Sequence, residues 1–130
     1  MAVVAHIGLR PQSVQQVGGY KGQRDAPRLL NDARSPAAAG AFAMVVECVP
    51  SDIARDITQS IEIPTIGIGA GADCDGQVLV TNDLLGLTSG YVPRHVKAYA
   101  ELGSVLSSAV RQYCDEVQRG VFPDEGQSFT

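Results

Sequence analysis

The sequence predicts an α/β fold built on a parallel β-sheet. Short segments rich in Val, Ile and Ala alternate with helical patterns and with Gly, Pro and Asp turns, an order typical of repeated strand–helix units. These apolar segments carry almost no charge, as expected for strands covered on both faces of a parallel sheet. With 130 residues, the chain has the length of one domain.

Four apolar segments are predicted as strands. Glu47 is the only charged residue of the second, and Pro64 stands near the start of the third, where its missing N–H is harmless. The fourth has the weakest pattern. The predicted strands are residues 3–8, 41–49, 63–69 and 77–82.

Two helices are predicted between these strands, at residues 26–39 and 52–60. Asp25 and Ser51 precede them and suit the N-cap position, because their side-chain oxygens can accept a hydrogen bond from the first helical turn. Gly40 follows the first helix, at the position where a left-handed residue ends many helices.

Pro36 lies inside the first predicted helix. Proline removes one helical hydrogen bond and clashes with the preceding turn, and the residue before it is pushed out of the helical region. A kink or an early end near Arg34 or Ser35 is therefore predicted.

The sequence from Pro93 onward has a helical pattern. Apolar residues recur at spacings of three and four from Val96 to Val117, which indicates an amphipathic helix. Gly103 is expected to bend or divide this helix, and Gly120 to end it. The apolar stripe predicts packing in the core or between subunits.

The composition excludes several classes of protein. The 10 Lys and Arg residues face 14 Asp and Glu residues, without a basic cluster, which excludes the electrostatic pattern of a nucleic-acid-binding protein. No segment approaches the ~18 uncharged apolar residues of a membrane helix. Three cysteines without CxxC spacing fit a reducing compartment. We expect a soluble, cytoplasmic protein with no membrane or nucleic-acid partner.

His6 and Glu47 are the candidate site residues. Each lies near the C-terminal end of a predicted strand, the edge where parallel sheets and α/β barrels place their sites. Desolvation after a buried strand strengthens a carboxylate as a base, so Glu47 suits proton abstraction; the alternative is a carboxylate that has emerged into solvent. His6 can donate a hydrogen bond to a ligand oxygen, although a structural histidine is the alternative. Both side chains are expected at the same end of the sheet.

Gly67, Gly69 and Gly71 follow the third strand in a GxGxxA pattern. A dinucleotide-binding turn is disfavoured because it would have to open a helix, whereas this one leads into a strand-like segment. These glycines are expected to let a ligand or a neighbouring strand end approach closely, with a plain tight turn as the alternative.

Two polar segments have open interpretations. Asp73, Asp75 and Asp83 suggest a cation site, but the rest of an EF-hand loop is missing, so a turn at Asp75 is favoured. The glycine-rich stretch from Gly18 to Arg24 suits a mobile lid over a site or, equally, a solvated loop.

Six sequence blocks carry a resemblance to a known family. In order, they are HIGLRPQS from His6, GGYK from Gly18, ECVP from Glu47, IGIGAG from Ile66, CDGQVLV from Cys74 and DLLG from Asp83. Together they resemble the C-terminal half of the ketopantoate hydroxymethyltransferase (3-methyl-2-oxobutanoate hydroxymethyltransferase) family. Six ordered blocks are far more specific than a single glycine motif.

The resemblance implies a (β/α)₈ barrel of about twice the length of this chain. Residues 1–130 would form one partial barrel domain, with four parallel strands equivalent to strands five to eight, outer helices and C-terminal helices. The family is a homo-oligomeric enzyme of pantothenate and coenzyme A biosynthesis. It transfers a hydroxymethyl group from 5,10-methylenetetrahydrofolate to the keto acid 3-methyl-2-oxobutanoate, giving 2-dehydropantoate, with Mg²⁺ as cofactor.

The resemblance also implies roles for individual residues. Glu47 corresponds to the catalytic general base and His6 to the histidine that binds the keto acid, while Gly67, Gly69 and Gly71 correspond to part of the active-site rim. The metal-binding carboxylates, with the lysine and serine that hold the substrate, belong to the first half of the barrel. We therefore expect no metal ligand in this chain and no activity from the chain alone.

Three features depart from the family pattern. The segment between Lys21 and Leu29 is shorter than the family's lid, Pro36 replaces a usual leucine, and Gln127 replaces a usual histidine. Two alternatives stay open at this point. One is a non-catalytic, truncated remnant that associates with a full-length relative, and the other is a phosphoenolpyruvate/pyruvate-type barrel enzyme with another keto acid substrate.

Overall fold

The computed structural model describes residues 1–9 and 24–129 of the chain. It divides into two compact units, Met1–Leu79 and Val80–Thr130. The first unit contains four strands and two helices, and the second contains helical segments. The strands are β1 (Val4–Gly8), β2 (Ala43–Glu47), β3 (Thr65–Ile68) and β4 (Gly76–Gln77); the helices are α1 (Ala26–Ala38), α2 (Ser51–Ser60), α3 (Thr81–Leu84) and α4 (Leu102–Gln118), followed by a 3₁₀ turn at Glu125–Gln127.

The four strands form one open sheet in the order β1-β2-β3-β4. Every neighbouring pair is parallel, and α1 and α2 connect successive strands. The predicted α/β fold with four parallel strands and helices is confirmed. It is the architecture of a partial strand–helix barrel.

The fourth strand is shorter than predicted. Only Gly76 and Gln77 pair with β3, and the extension of the strand to residue 82 is wrong because residues 81–84 form α3. The N–H of Leu84 donates to the carbonyl of Val80, and Asp83 lies in the first helical turn, where its charge is favourable.

One face of the sheet carries the core of the first unit. Because side chains alternate along a strand, Ile7, Met44 and Val46 point to the same face, where they pack against α1 and α2. The helix residues of this core are Leu29, Ala33, Ile53, Ala54 and Ile57. Burial of this kind is the main stabilising contribution to such a unit.

The other face of the sheet is half-open. Val4 on this face is 47% exposed, His6 is exposed, and Val45 and Ile66 are half-buried. The prediction of burial on both faces is therefore wrong for β1, whereas every residue of β2 is buried or half-buried. Both helices lie against the opposite face, so these side chains stay accessible.

Helix α1 has the predicted caps but not the predicted early end. The carboxylate of Asp25 accepts a hydrogen bond from the N–H of Arg28 at 3.2 Å, and Gly40 has a φ of +93°. The helix continues through Pro36 to Ala38. Early termination is wrong because Pro36 lies in the last turn, where only its own hydrogen bond is lost and the following N–H groups still find carbonyls.

Replacing Pro36 with Leu is expected to raise the free energy of unfolding by about 1–2 kcal/mol, because the lost helical hydrogen bond is restored. Greater freedom of the unfolded chain offsets part of the gain. Urea unfolding measures the change, with Ala38→Leu in the same turn as the control. An unchanged or lower stability of the Pro36 variant, relative to this control, would contradict the expectation.

The second unit is helical over a shorter range than predicted. Residues 93–101 are not helical because their polar groups pair elsewhere: the N–H of Tyr99 donates to the carbonyl of Leu84. Helix α4 begins at Leu102, so Gly103 lies in its first turn and does not divide it. Gly120, with a φ of +67°, follows the end of the helix as predicted.

The apolar stripe of α4 is exposed. None of its residues is buried, so packing in the core is wrong for this part of the chain, and packing between subunits stays a prediction. The exposed side chains are Val105, Leu106, Val110, Tyr113 and Val117.

No helix in the described ranges combines the length and apolar character required to cross a membrane.

Candidate functional site

His6 and Glu47 form a hydrogen-bonded pair on the half-open face of the sheet. The strand register places Gly8 beside Glu47 and His6 beside Val45, so His6 and Glu47 share a face two residues apart along parallel strands. His6 Nε2 lies 2.9 Å from Glu47 Oε2. The structure thus brings the two candidate residues together at the C-terminal ends of β1 and β2.

Exposure differs between the two side chains. His6 retains 35% of its side-chain accessibility, whereas Glu47 retains 18%. A carboxylate that is largely desolvated on one side, yet open to a small molecule on the other, can accept a proton from a bound substrate. Glu47 is the less accessible residue of the pair and His6 the more accessible one, and the role of Glu47 as a base stays a prediction.

The hydrogen bond to Glu47 determines which ring nitrogen of His6 donates and which accepts. When Glu47 is ionised it can only accept, so His6 Nε2 must carry the proton and donate it to Glu47 Oε2. In the neutral ring Nδ1 is then an acceptor, and it becomes a donor only in the imidazolium. The donor to a ligand oxygen expected from the sequence is thus Nδ1–H of a protonated His6.

The backbone around Glu47 is held on both sides. The Glu47 carbonyl accepts from the N–H of Leu9, and the N–H of Cys48 donates to the carbonyl of Ile68, both at 2.9 Å. Cys48 has a φ of +52°, an uncommon conformation for a residue with a side chain. Such strained positions cluster at functional sites. The sequence gives no sign of this conformation.

Cys48 does not add a nucleophile to the pair at neutral pH. Burial, and then the negative charge of Glu47, raise the pKa of the Cys48 thiol above its ordinary value. The thiolate is the reactive form of cysteine, so these effects keep Cys48 in its unreactive form. Glu47 remains the candidate base of the pair.

The three glycines of the predicted rim occupy different environments. Gly67 points to the helix-covered face, where an added Cβ would lie 3.0 Å from the Gln77 side chain. Gly69 directly follows Ile68, the register partner of Glu47. An added Cβ on Gly71 would lie 2.5 Å from Ser51 Cβ. Gly67 and Gly69 are therefore each one residue away from the level of Glu47 along the third strand, and Gly67 and Gly71 allow close packing of the chain on itself.

Asp75 links the loop after β3 to the start of that strand through hydrogen bonds. Its carboxylate accepts from the N–H of Thr65 at 2.7 Å and from the Thr65 hydroxyl at 3.0 Å. Hydrogen bonds from the Thr65 backbone, and then from its side chain, lower the pKa of Asp75 below its ordinary value. The chain bends at Asp75, where the sequence favours a turn, and the Asp75 carboxylate holds the first residue of β3.

Asp75→Asn is expected to lower stability at neutral pH by at most about 1 kcal/mol, because neutral acceptors form weaker hydrogen bonds than carboxylates and solvent screens the charge of the exposed Asp75. Since folding lowers the pKa of Asp75, the stabilisation is present above the ordinary pKa of aspartate, about 3.9. It is lost as the pH falls through the folded value. Melting temperatures at about pH 7 and about pH 3 measure this, with the exposed Asp73→Asn as control. A difference that does not depend on pH would contradict it.

The two remaining predictions concern a cation site and a lid. Residues 1–9 and 24–129 contain no group of three or more His, Cys, Asp or Glu side chains that could hold a metal ion. In the second unit, the Asp83 carboxylate accepts a hydrogen bond from the Thr88 hydroxyl. The lid predicted from Gly18 to Arg24 lies outside the described residues except for Arg24.

Comparison with known proteins gives consistent matches. A profile described as ketopantoate hydroxymethyltransferase matches residues 1–125. The 3-methyl-2-oxobutanoate hydroxymethyltransferase of Rhodopirellula baltica is 54% identical over 127 residues. The proteins of the same name from Syntrophus aciditrophicus and Carboxydothermus hydrogenoformans are 53% and 54% identical over 131 and 132 residues.

The matches cover nearly all of this chain but not of its relatives. Each covers 98% of this chain, against 47% of the Rhodopirellula protein and 48% of the other two. The chain therefore spans about half the length of the curated relatives that it matches. Below, the part of the Rhodopirellula relative that this chain does not match is termed the complementary half.

Proposed function

Because the chain belongs to the ketopantoate hydroxymethyltransferase family, we propose that it carries the proton-abstracting part of an active site for hydroxymethyl transfer to 3-methyl-2-oxobutanoate. The observation that carries the proposal is the His6–Glu47 hydrogen bond of 2.9 Å at the C-terminal ends of two parallel strands. This is the edge at which strand–helix barrels perform their chemistry. The reaction would serve pantothenate and coenzyme A biosynthesis.

The proposed reaction begins with Glu47. The proton on C3 of the keto acid is acidified by the adjacent C2 carbonyl, and the carboxylate of Glu47 takes this proton as the C3–H bond breaks. The electron pair forms an enolate. Glu47 can act through Oε1, because Oε2 accepts the hydrogen bond from His6.

The enolate then forms the new carbon–carbon bond. Its C3 attacks the methylene carbon supplied by 5,10-methylenetetrahydrofolate, the proposed co-substrate. Water provides the hydroxyl oxygen, both carbon–nitrogen bonds of the methylene group are broken, and tetrahydrofolate leaves with its nitrogens protonated. The products are 2-dehydropantoate and tetrahydrofolate, with no net oxidation or reduction.

His6 is proposed to bind the keto acid beside the base. With Nε2 held by Glu47, a protonated His6 presents Nδ1–H to a substrate oxygen. The same contact fixes the ring in one orientation, which is the usual function of a carboxylate partner to histidine. The Gly69 turn is proposed to form part of the rim, together with Gly67 and Gly71 through their support of the loop.

Groups that stabilise the enolate oxygens have to come from elsewhere. The described side chains do not fit a Mg²⁺ site, since they provide no cluster of three ligating residues and Mg²⁺ requires a nearly octahedral set of oxygens. We propose that Mg²⁺ is held by the complementary half. The expected homo-oligomer, the cytoplasmic location and the lack of nucleic-acid and membrane partners also remain proposals.

The proposed function is tested by completing the protein. The complementary half is joined to this chain in one polypeptide, termed the completed protein, and formation of 2-dehydropantoate is measured with Mg²⁺ and 5,10-methylenetetrahydrofolate. We expect product from the completed protein and none from the chain alone. A folded completed protein that forms no product would overturn the proposal, and product from the chain alone at the rate of a full-length relative would contradict the need for a second half.

A further inference from the structure

The end of strand β2 is held between its two neighbours. On one side the N–H of Leu9 donates to the Glu47 carbonyl, and on the other the N–H of Cys48 donates to the Ile68 carbonyl, each at 2.9 Å. The peptide group that joins Glu47 to Cys48 is thereby bonded through both of its polar atoms. The path of the chain at the proposed base depends on how closely β1 and β3 approach it.

Gly8 sets the distance on the β1 side. A Cβ placed on Gly8 would lie 2.1 Å from the Glu47 carbonyl oxygen and 2.8 Å from Val49 Cγ2, both far inside van der Waals contact. The residue also has a φ of +86°, which glycine adopts without steric cost. Only glycine at this position therefore allows the end of β1 to lie close enough to β2 for the Leu9 N–H to reach the Glu47 carbonyl.

The same contact controls the side-chain pair. His6 lies two residues before Gly8 on β1, and the Gly8 register partner is Glu47 itself. Any outward shift of the end of β1 would lengthen the 2.9 Å separation of His6 Nε2 and Glu47 Oε2. Since hydrogen bonds weaken over a few tenths of an ångström, the pair has little tolerance for such a shift.

We propose that Gly8 is a positioning residue for Glu47. Because Gly8 has no side chain, the end of β1 can lie directly against the Glu47 carbonyl, and this contact aligns the Glu47 carboxylate with His6. The catalytic purpose of this alignment rests on the proposed function. The alignment itself is a property of the chain and is measured without any activity.

Gly8→Ala and Gly40→Ala form a matched pair of variants. Both glycines have positive φ, +86° and +93°, so an alanine side chain introduces similar backbone strain at each. Around Gly40, however, an added Cβ meets nothing within 4 Å. A difference between the two variants therefore reports the collision with Glu47 and not the backbone conformation.

The readout is the tautomer of the His6 ring, measured by long-range ¹H–¹⁵N NMR on the full chain across the pH range in which the ring is neutral. In the wild type and in Gly40→Ala we expect the single Nε2–H form that donates to Glu47. In Gly8→Ala we expect a mixture of Nε2–H and Nδ1–H forms, because the partner has moved. A Gly8→Ala variant with the wild-type tautomer would overturn the proposal.

A second measurement decides the matter if Gly8→Ala does not fold. Amide hydrogen exchange of the wild-type chain is compared at Leu9, Cys48 and the buried Val46. The proposal predicts protection of the Leu9 and Cys48 amides comparable to that of Val46, and rapid exchange at Leu9 would overturn it. If these results hold while the completed protein forms no 2-dehydropantoate, the proposed function fails and the positioning by Gly8 stands.

Discussion

Replacing Glu47 with Gln is expected to lower kcat for hydroxymethyl transfer in the completed protein by a factor of about 10²–10⁴, the usual contribution of a general base. Glutamine has nearly the same size and its side-chain oxygen can still accept the hydrogen bond from His6, but it cannot take a proton. The KM for the keto acid should change little, because the substrate is bound by groups that remain.

The control for this variant is Glu62→Gln. Glu62 is exposed and precedes β3, at the opposite end of the sheet from Glu47, so the same chemical change there should leave kcat unchanged. Steady-state kinetics of both variants separate the roles of Glu47. A raised KM with unchanged kcat would show that Glu47 binds the substrate and does not react with it, contrary to its proposed role as the base.

Replacing Ile57 with Ala is expected to destabilise the first unit by about 2–5 kcal/mol. Ile57 is fully buried at the contact between α2 and the sheet, so its truncation removes apolar contacts and leaves a cavity. A loss of this size is a large fraction of the stability of a small domain. Urea unfolding followed by circular dichroism should show a much lower midpoint.

Val105→Ala on α4 is the matched control. This side chain is 60% exposed, and truncation of an exposed residue usually changes stability by at most about 0.5 kcal/mol. If the Val105 variant were destabilised as strongly as the Ile57 variant, α4 would be buried in an assembly of subunits. If the Ile57 variant were as stable as the wild type, the core assigned to the first unit would be wrong.

The elements with strong local signals were predictable from the sequence. Asp25 and Gly40 mark the two ends of α1 through capping, which depends only on neighbouring residues. The strands around Met44 and Ile66 were predictable because a short apolar run is also a local signal. Helix α2 begins at Ser51, within one residue of its predicted start, but Ser51 as its N-cap is wrong, because the N-cap is Pro50 and no side chain caps the first turn.

The elements that were mispredicted depend on distant pairing. The segment before Leu102 has a helical pattern, but the Tyr99 N–H is bonded to the Leu84 carbonyl, a contact that local periodicity does not encode. The β4 segment likewise stops after Gln77 because α3 begins nearby. Tertiary contacts override local propensity in both places.

The two candidate residues were predictable from the sequence, but the backbone contacts that hold Glu47 in place were not. His6 and Glu47 could be identified because the ends of parallel strands meet at one edge. Gly8 and Cys48 stand out only once the strands are placed side by side, since the close approach to the Glu47 carbonyl and the φ of +52° at Cys48 are properties of the assembled sheet. A glycine directly after a strand is the one sign that the sequence offers.

The central claim is that Glu47 abstracts the C3 proton and that the chain requires the complementary half to do so. The most direct measurement is the exchange of deuterium from D₂O into C3 of 3-methyl-2-oxobutanoate with Mg²⁺ present, which reports proton abstraction without group transfer. We predict exchange by the completed protein, none by the chain alone, and loss of exchange in the completed Glu47→Gln variant. Exchange by the chain alone at the rate of a full-length relative, or undiminished exchange by the Glu47→Gln variant, would contradict the claim.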